Sequence, residues 1–183
     1  MTILVDMDDT IEQLLRAWLK CANEKFDREV TYDEVRDWDV SKAYPGLTHD
    51  QIYDILLQPG FWKTVEPMPG AARVLKQFME DGHKVYIVTA TDYEIIPEKM
   101  DHLLFRYFPF LSWDQVIITN NKQMIRGDVL IDDGVHNLEG GDYIKILMTS
   151  GTNRDYDAEA NGMIRVHSWD EIEKTIRLLS HRS

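Results

Sequence analysis

The feature that most narrows what this 183-residue chain can become is a set of short apolar runs that stop abruptly on polar residues. Thr2–Val5 runs into Asp6-Met7-Asp8-Asp9-Thr10, residues 83–88 run into Thr89-Ala90-Thr91-Asp92, and residues 129–131 run into Asp132-Asp133. Runs this short, apolar without alternation, read as strands covered on both faces. Residues 116–119, 144–148 and 163–166 read as further strands. Helical spacing falls between them, over 11–26 (Ile11, Leu14, Leu15, Trp18, Leu19, Ala22 and Phe26 on one stripe), 71–79 and 98–107. Asp81-Gly82 closes the second of these helices. A last helix opens at Ser168 as N-cap, with Glu171 completing a capping box, and runs to about Leu179. Strands alternating with helices predict an α/β fold, a Rossmann-like parallel sheet with helices on both faces.

Residues 30–66 break this rhythm. They are rich in aromatics (Tyr32, Trp38, Tyr44, Tyr53, Phe61, Trp62) and interrupted by Pro45-Gly46 and Pro59-Gly60, which predicts two or three short helices with loops.

Charge and cysteine content exclude several roles. Lysine plus arginine total 20 against 32 acids, a net charge of −12, which repels phosphate backbones and argues against duplex nucleic acid as partner. Small phosphorylated ligands stay open, because a site can be locally positive or hold a metal. The single cysteine, Cys21, can make neither an internal disulfide nor a cysteine metal cluster. No apolar run approaches the ~20 residues that cross a bilayer, and no basic segment precedes the first apolar stretch. A cytoplasmic protein without membrane contact is expected; the oligomeric state stays open, a homodimer included.

In parallel sheets, ligands bind beyond the carboxyl ends of the strands. Asp6, Asp8, Thr89, Lys122, Asp132 and Asp133 all fall there. Each is ordinary alone: an Asp-x-Asp is commonly a turn or cap, a threonine often ends a strand, and most lysines are solvated. The ordered series is specific. Four carboxylates at one edge would repel each other without a cation, and an all-oxygen ligand set suits Mg²⁺.

That series resembles the haloacid dehalogenase superfamily of phosphohydrolases, and within it the chain is similar to the 5′(3′)-deoxyribonucleotidases. The closer similarity lies in Pro59-Gly60-Phe61-Trp62 through Pro67-Met68-Pro69-Gly70-Ala71, in Thr119-Asn120-Asn121-Lys122, in Gly127-Asp128-Val129-Leu130-Ile131-Asp132-Asp133, and more faintly in Ser168-Trp169. The resemblance implies a core of residues 1–13 and 67–183 with a helical cap inserted at 14–66. It also implies Mg²⁺-dependent hydrolysis of a small phosphomonoester, here a nucleoside monophosphate, through an aspartyl-phosphate. Asp6 would be the nucleophile and Asp8 the general acid and base. The metal would be held by Asp6, the backbone carbonyl of Asp8 and Asp133, with Asp132 as the substitute for Asp133. Thr89 and Lys122 would bind the phosphate, and Phe61 and Trp38 would face the base.

Departures from the family pattern are Asp9 in place of glycine, Leu14 in place of an aromatic, and Ala90 in place of a hydroxyl residue. They put strict pyrimidine selectivity in question. Other readings are a superfamily phosphatase for sugar phosphates, a binding protein without turnover, and a signalling receiver domain.

Overall fold

The computed structural model describes residues 1–181, so the last two residues of the expected core, 182 and 183, lie outside it. Six parallel strands form one sheet: β1 (Thr2–Val5), β2 (Lys84–Thr89), β3 (Val116–Ile118), β4 (Val129–Asp132), β5 (Ile144–Met148) and β6 (Ile164–Val166). Their order is β3-β2-β1-β4-β5-β6.

The pleat explains why the central runs are apolar throughout. Ile3, Val5, Val85, Ile87, Val129, Ile131, Ile146 and Met148 join the larger apolar cluster on one face. Their neighbours Leu4, Val88, Leu130 and Leu147 point into a smaller cluster with Leu138, Tyr143, Ala158 and Met163. Alternate residues thus serve opposite faces, and both faces are dry.

The helices are α1 (Leu14–Phe26), α2 (His49–Tyr53), α3 (Ala71–Glu80), α4 (Ile96–Lys99), α5 (Phe105–Tyr107), α6 (Val135–Leu138) and α7 (Trp169–Ser180). A π-helical stretch, Met100–Leu104, joins α4 to α5, so the helix expected over 98–107 is one segment with a bulge. Helix α1 starts three residues later than the apolar stripe suggests. Ile11, Glu12 and Gln13 instead pair with the returning chain: Met68 N–H donates to the Ile11 carbonyl (2.8 Å), and Gln13 N–H to that of Glu66 (2.9 Å). Between these stems lie α1, the short helix α2, and 3-10 turns at Tyr32–Glu34, Val40–Ala43 and Phe61–Lys63. Gly46 and Gly60 adopt left-handed φ of 86° and 84°, which ends each short element. The Ser168 cap forms, but Glu171 reaches the N–H of His167 instead of that of Ser168, so the box is displaced by one residue.

Strand order reverses between β1 and β4, the crevice where doubly wound sheets bind ligands. This order also sets aside a receiver domain, whose sheet runs 2-1-3-4-5. Among the described residues, no helix is long and apolar enough to cross a membrane.

Helix α7 reaches the same crevice from behind. Trp169 is fully buried, and its indole N–H donates to the carbonyl of Thr10 (2.9 Å) in the loop that follows β1. Trp169→Ala should therefore cost about 3–5 kcal/mol of stability in urea unfolding, through the cavity and the orphaned carbonyl. Trp113→Ala, at a half-exposed indole, should stay within about 0.5 kcal/mol.

Candidate active site

Register brings the acids together. Val5 pairs with Ile131, and Asp6 N–H donates to the Ile131 carbonyl (2.8 Å), so Asp6 and Asp132 leave the sheet side by side. The buried Lys122, on a 3-10 turn beyond β3, inserts its ammonium between them. Its Nζ donates to Asp6 Oδ1 and to Asp132 Oδ2 (2.7 Å). The other oxygen of Asp132 accepts from Gly134 N–H (2.7 Å) and Asn137 Nδ2 (3.1 Å), which leaves that carboxylate fully engaged. Asp133 is different. Asn153 Nδ2 fixes its backbone carbonyl (2.8 Å), but its Oδ1 is buried with no hydrogen-bond partner among the described residues. Asp6, Asp132 and Asp133 bring one carboxylate oxygen each within 4.8 Å of one another.

Asp8 faces a second buried lysine. Lys99 Nζ donates to Asp8 Oδ2 (2.7 Å) and to Thr89 Oγ1 (3.3 Å), and lies 4.9 Å above the Trp62 ring. Glu12, a fully buried carboxyl, lies beside Asp8, and neither of its oxygens has a hydrogen-bond partner among the described residues. Asp9 sits at φ 52°, a left-handed position that explains the glycine usual in the family. Aspartate tolerates it, and here its carboxylate accepts the N–H of Leu15 with both oxygens (3.1 and 3.2 Å), capping α1.

This crowding moves the acids in opposite directions. Burial first, then the charge of Asp132, pushes Asp6 up to about 7 against the pull of Lys122. Burial raises Asp9 to about 7, and it raises Glu12 and Asp133 well above the carboxylate range, with neighbouring acids adding to it. Asp8 alone is lowered: burial opposes ionisation, but the ammonium of Lys99 and the neighbouring Glu12 carboxyl outweigh it.

Two clefts open over Asp8. The larger, about 250 Å³, is lined by Leu14, His49, Tyr53, Trp62, Ala90, Thr91 and Lys99 among others. The smaller, about 130 Å³, lies between Asp9, Asp133 and Ser150 on one side and Trp18, Trp38 and Tyr53 on the other. Trp38 is 53% exposed, with its ring edge-on to His136 at 4.7 Å. Phe61 corrects the sequence expectation. It is 5% exposed, belongs to the apolar core and lines neither cleft. The turn that begins at Gly60 sends Phe61 inward and presents the next residue, Trp62, to the cleft, with the rings edge-on at 5.4 Å.

Lys99, Glu12 and Trp62 escaped the sequence reading. A signal existed for Lys99: it shares a stripe with Met100, Leu103 and Leu104, and a lysine in such a stripe needs a buried partner.

The family model described as 5′ nucleotidase, deoxy (Pyrimidine), cytosolic type C protein matches residues 1–182. The chain is 34% identical over 176 residues to the 5′(3′)-deoxyribonucleotidase of Bacillus subtilis strain 168, covering 95% of this chain and 97% of that one. It is 31% identical over 172 residues to that of Clostridium acetobutylicum, with coverage of 94% and 92%. Solved structures resemble its fold at lower identity. A predicted phosphatase from Clostridium acetobutylicum superposes with TM-score 0.65 at 18% identity, over 96% and 97% of the chains. A HAD family hydrolase from Deinococcus radiodurans R1, with bound phosphate and sodium, gives 0.57 at 15%, over 93% and 92%.

The raised acids have a consequence for stability. Asp6, at about 7 in the folded protein against 3.8 as a free side chain, binds its proton more tightly when folded, as do Asp9, Glu12 and Asp133. Their contribution is complete below the unfolded value and is lost as pH rises through the folded one. In chelator, the melting temperature should carry a downward component between about pH 4 and pH 7. Asp133→Asn should flatten it; identical pH profiles for the two proteins would contradict this account.

Proposed function

Since the chain belongs to the cytosolic type C 5′-nucleotidase family and is a phosphomonoester hydrolase, we propose that it dephosphorylates (deoxy)nucleoside monophosphates with Asp6 as nucleophile and Asp8 as general acid and base. The observation that carries this reading is the placement of Asp6. It stands at the strand-order reversal, oriented by the buried ammonium of Lys122, two residues from a carboxyl that faces two clefts.

Phosphate monoesters hydrolyse extremely slowly in water, and a carboxylate nucleophile divides the reaction into two easier steps. An Asp6 oxygen attacks phosphorus, the bond from phosphorus to the ester oxygen breaks, and the departing alkoxide takes a proton from Asp8, which must enter this step protonated against the pull of the Lys99 ammonium. Asp8 then removes a proton from a water molecule, which attacks the aspartyl-phosphate. Phosphate leaves and both carboxyls return to their starting state. Lys122 places a fixed positive charge beside the phosphoryl oxygens. Thr89 accepts its hydrogen bond from Lys99, so its own hydroxyl proton remains free for a phosphate oxygen.

A divalent cation fits the residues present. The donors are all oxygen, three carboxylates converge, and Asp133 Oδ1 is buried without a partner. That set suits Mg²⁺. Asp6, Asp133 and the backbone carbonyl of Asp8 would hold it, whereas Asp132, with both oxygens engaged, serves to orient Lys122. When bound, the ion supplies positive charge that offsets the clustered carboxylates and the phosphate.

Trp38 is the ring best placed to stack on a base, being exposed at the edge of the smaller cleft. Base–aromatic stacking is worth about 1–3 kcal/mol and tolerates any base. A broad base preference follows, with a cytoplasmic nucleotide pool as the substrate source.

Asp6→Asn should lower turnover by several powers of ten while the protein still folds, since the amide is nearly isosteric but a poor nucleophile and Asp132 still pairs with Lys122. Excess chelator should also abolish phosphate release. A variant retaining a tenth of the wild-type rate, or full activity in chelator, would overturn the assignment. Trp38→Ala should cut kcat/KM for a nucleoside monophosphate about ten-fold, equal to about 1.4 kcal/mol, and cut it far less for p-nitrophenyl phosphate. Sugar phosphates turned over better than nucleotides would instead identify a sugar phosphatase.

A further inference from the structure

Lys99 has no role in the reading above, yet it stands behind the acid on which that reading depends. It is 1% exposed, at the end of α4, on a helical stripe otherwise made of Met100, Leu103 and Leu104. Burying an ammonium is costly unless it is paired, so so enclosed a lysine implies a dedicated partner. All three of its protons have a direction: Asp8 Oδ2 at 2.7 Å, Thr89 Oγ1 at 3.3 Å and the face of Trp62 at 4.9 Å. The ammonium is therefore engaged within the protein, although the residue forms part of the wall of the larger cleft.

The backbone supports this placement independently. The helix changes from α to π at Met100, immediately after Lys99. Such π-bulges cost regular hydrogen bonding and occur frequently at functional sites. On its other side, Asp8 lies beside the buried carboxyl of Glu12, so Lys99 is the group that holds it by a hydrogen bond. The side chain of Asp8 is 28% exposed and that of Lys99 1%, which puts Asp8 toward the cleft and Lys99 behind it.

We propose that Lys99 is a positioning residue for the reaction: its ammonium, anchored on the Thr89 hydroxyl, holds the Asp8 carboxyl where that acid meets the leaving oxygen. This rests on the reading of Asp8 as general acid. The role predicts a dependence on leaving group. A nucleoside alkoxide must be protonated as it departs, whereas nitrophenolate leaves readily without a proton.

The experiment measures leaving-group release in single turnover, which isolates the first step, for a nucleoside 5′-monophosphate and for p-nitrophenyl phosphate. Lys99→Met should slow the nucleotide about 100-fold or more, within the range of general acid catalysis. Its effect on the nitrophenyl ester should be at least about ten-fold smaller, and KM should move less than about three-fold for either substrate. Equal losses on both esters would show a merely structural lysine. A large rise in both KM values with the rate intact would show a phosphate ligand. Either result overturns the proposal.

Should Lys99→Met not fold, Asp8→Asn is compared with Asp8→Asn/Lys99→Met, where no unpaired carboxylate is left at position 8. If Lys99 acts through Asp8, the two proteins release nitrophenolate at rates within about two-fold of each other. A further ten-fold loss in the double variant would refute it. Wild-type protein inactive on both esters would sink the proposed function itself; active wild type with equal losses would sink only the role of Lys99.

Discussion

Two carboxylates leave this sheet on adjacent central strands, and the buried ammonium of Lys122 is what makes that arrangement tenable. Asp6 and Asp132 are buried in a crevice where unpaired charge would be costly, and Lys122 bonds to both. Removing one partner would leave an uncompensated buried ion. The same bridge orients an Asp6 oxygen and ties the turn after β3 to the ends of β1 and β4. The centre of the candidate site and a support of the fold are thus one interaction.

The rest of the crevice extends this charge arrangement. Among the described residues, six carboxyls gather at Asp6, Asp8, Asp9, Glu12, Asp132 and Asp133, with Lys99 and Lys122 as the fully buried ammonium groups. The excess acid is accommodated in distinct ways. Asp9 accepts from a helix N-terminus, burial holds Glu12 well above the carboxylate range, and Asp133 retains an unsatisfied oxygen of the kind a cation would fill. The insert encloses this set. Its stems are hydrogen-bonded at 11–13 and 66–68, and its apolar residues join the sheet's larger cluster. At the far side, Gly151 N–H donates to the Tyr32 hydroxyl (3.0 Å) and Arg154 pairs with Asp33 (2.9 Å), tying the insert to the loop after β5.

Much of this was readable from local pattern. All six strands lie where apolar runs predict them, because a strand covered on both faces admits almost nothing polar until it emerges. Where the reading slipped, a long-range contact had overridden a local preference. The stripe at 11–13 has helical spacing, but pairing with 66–68 takes those residues out of α1. Ser168 and Glu171 have the spacing of a capping box, yet Glu171 bonds one residue earlier. Phe61 and Trp62 are adjacent aromatics, and only the direction of the turn from Gly60 decides which of them meets the cleft.

What the sequence determined alone was the edge at which the polar series gathers, since apolar runs ending in Asp6, Thr89 and Asp132 place those residues at the carboxyl ends of parallel strands. Tertiary structure decided which groups touch. Asp6 lies 116 residues from Lys122, and Asp8 lies 91 residues from Lys99. No local spacing encodes such distances; they arise because the strand order β3-β2-β1-β4 and the bulge after α4 bring those segments to one crevice. The difference between Asp132, fully engaged, and Asp133, left with a bare oxygen, is of the same kind: two adjacent, chemically identical residues separated only by the direction each side chain takes as β4 ends.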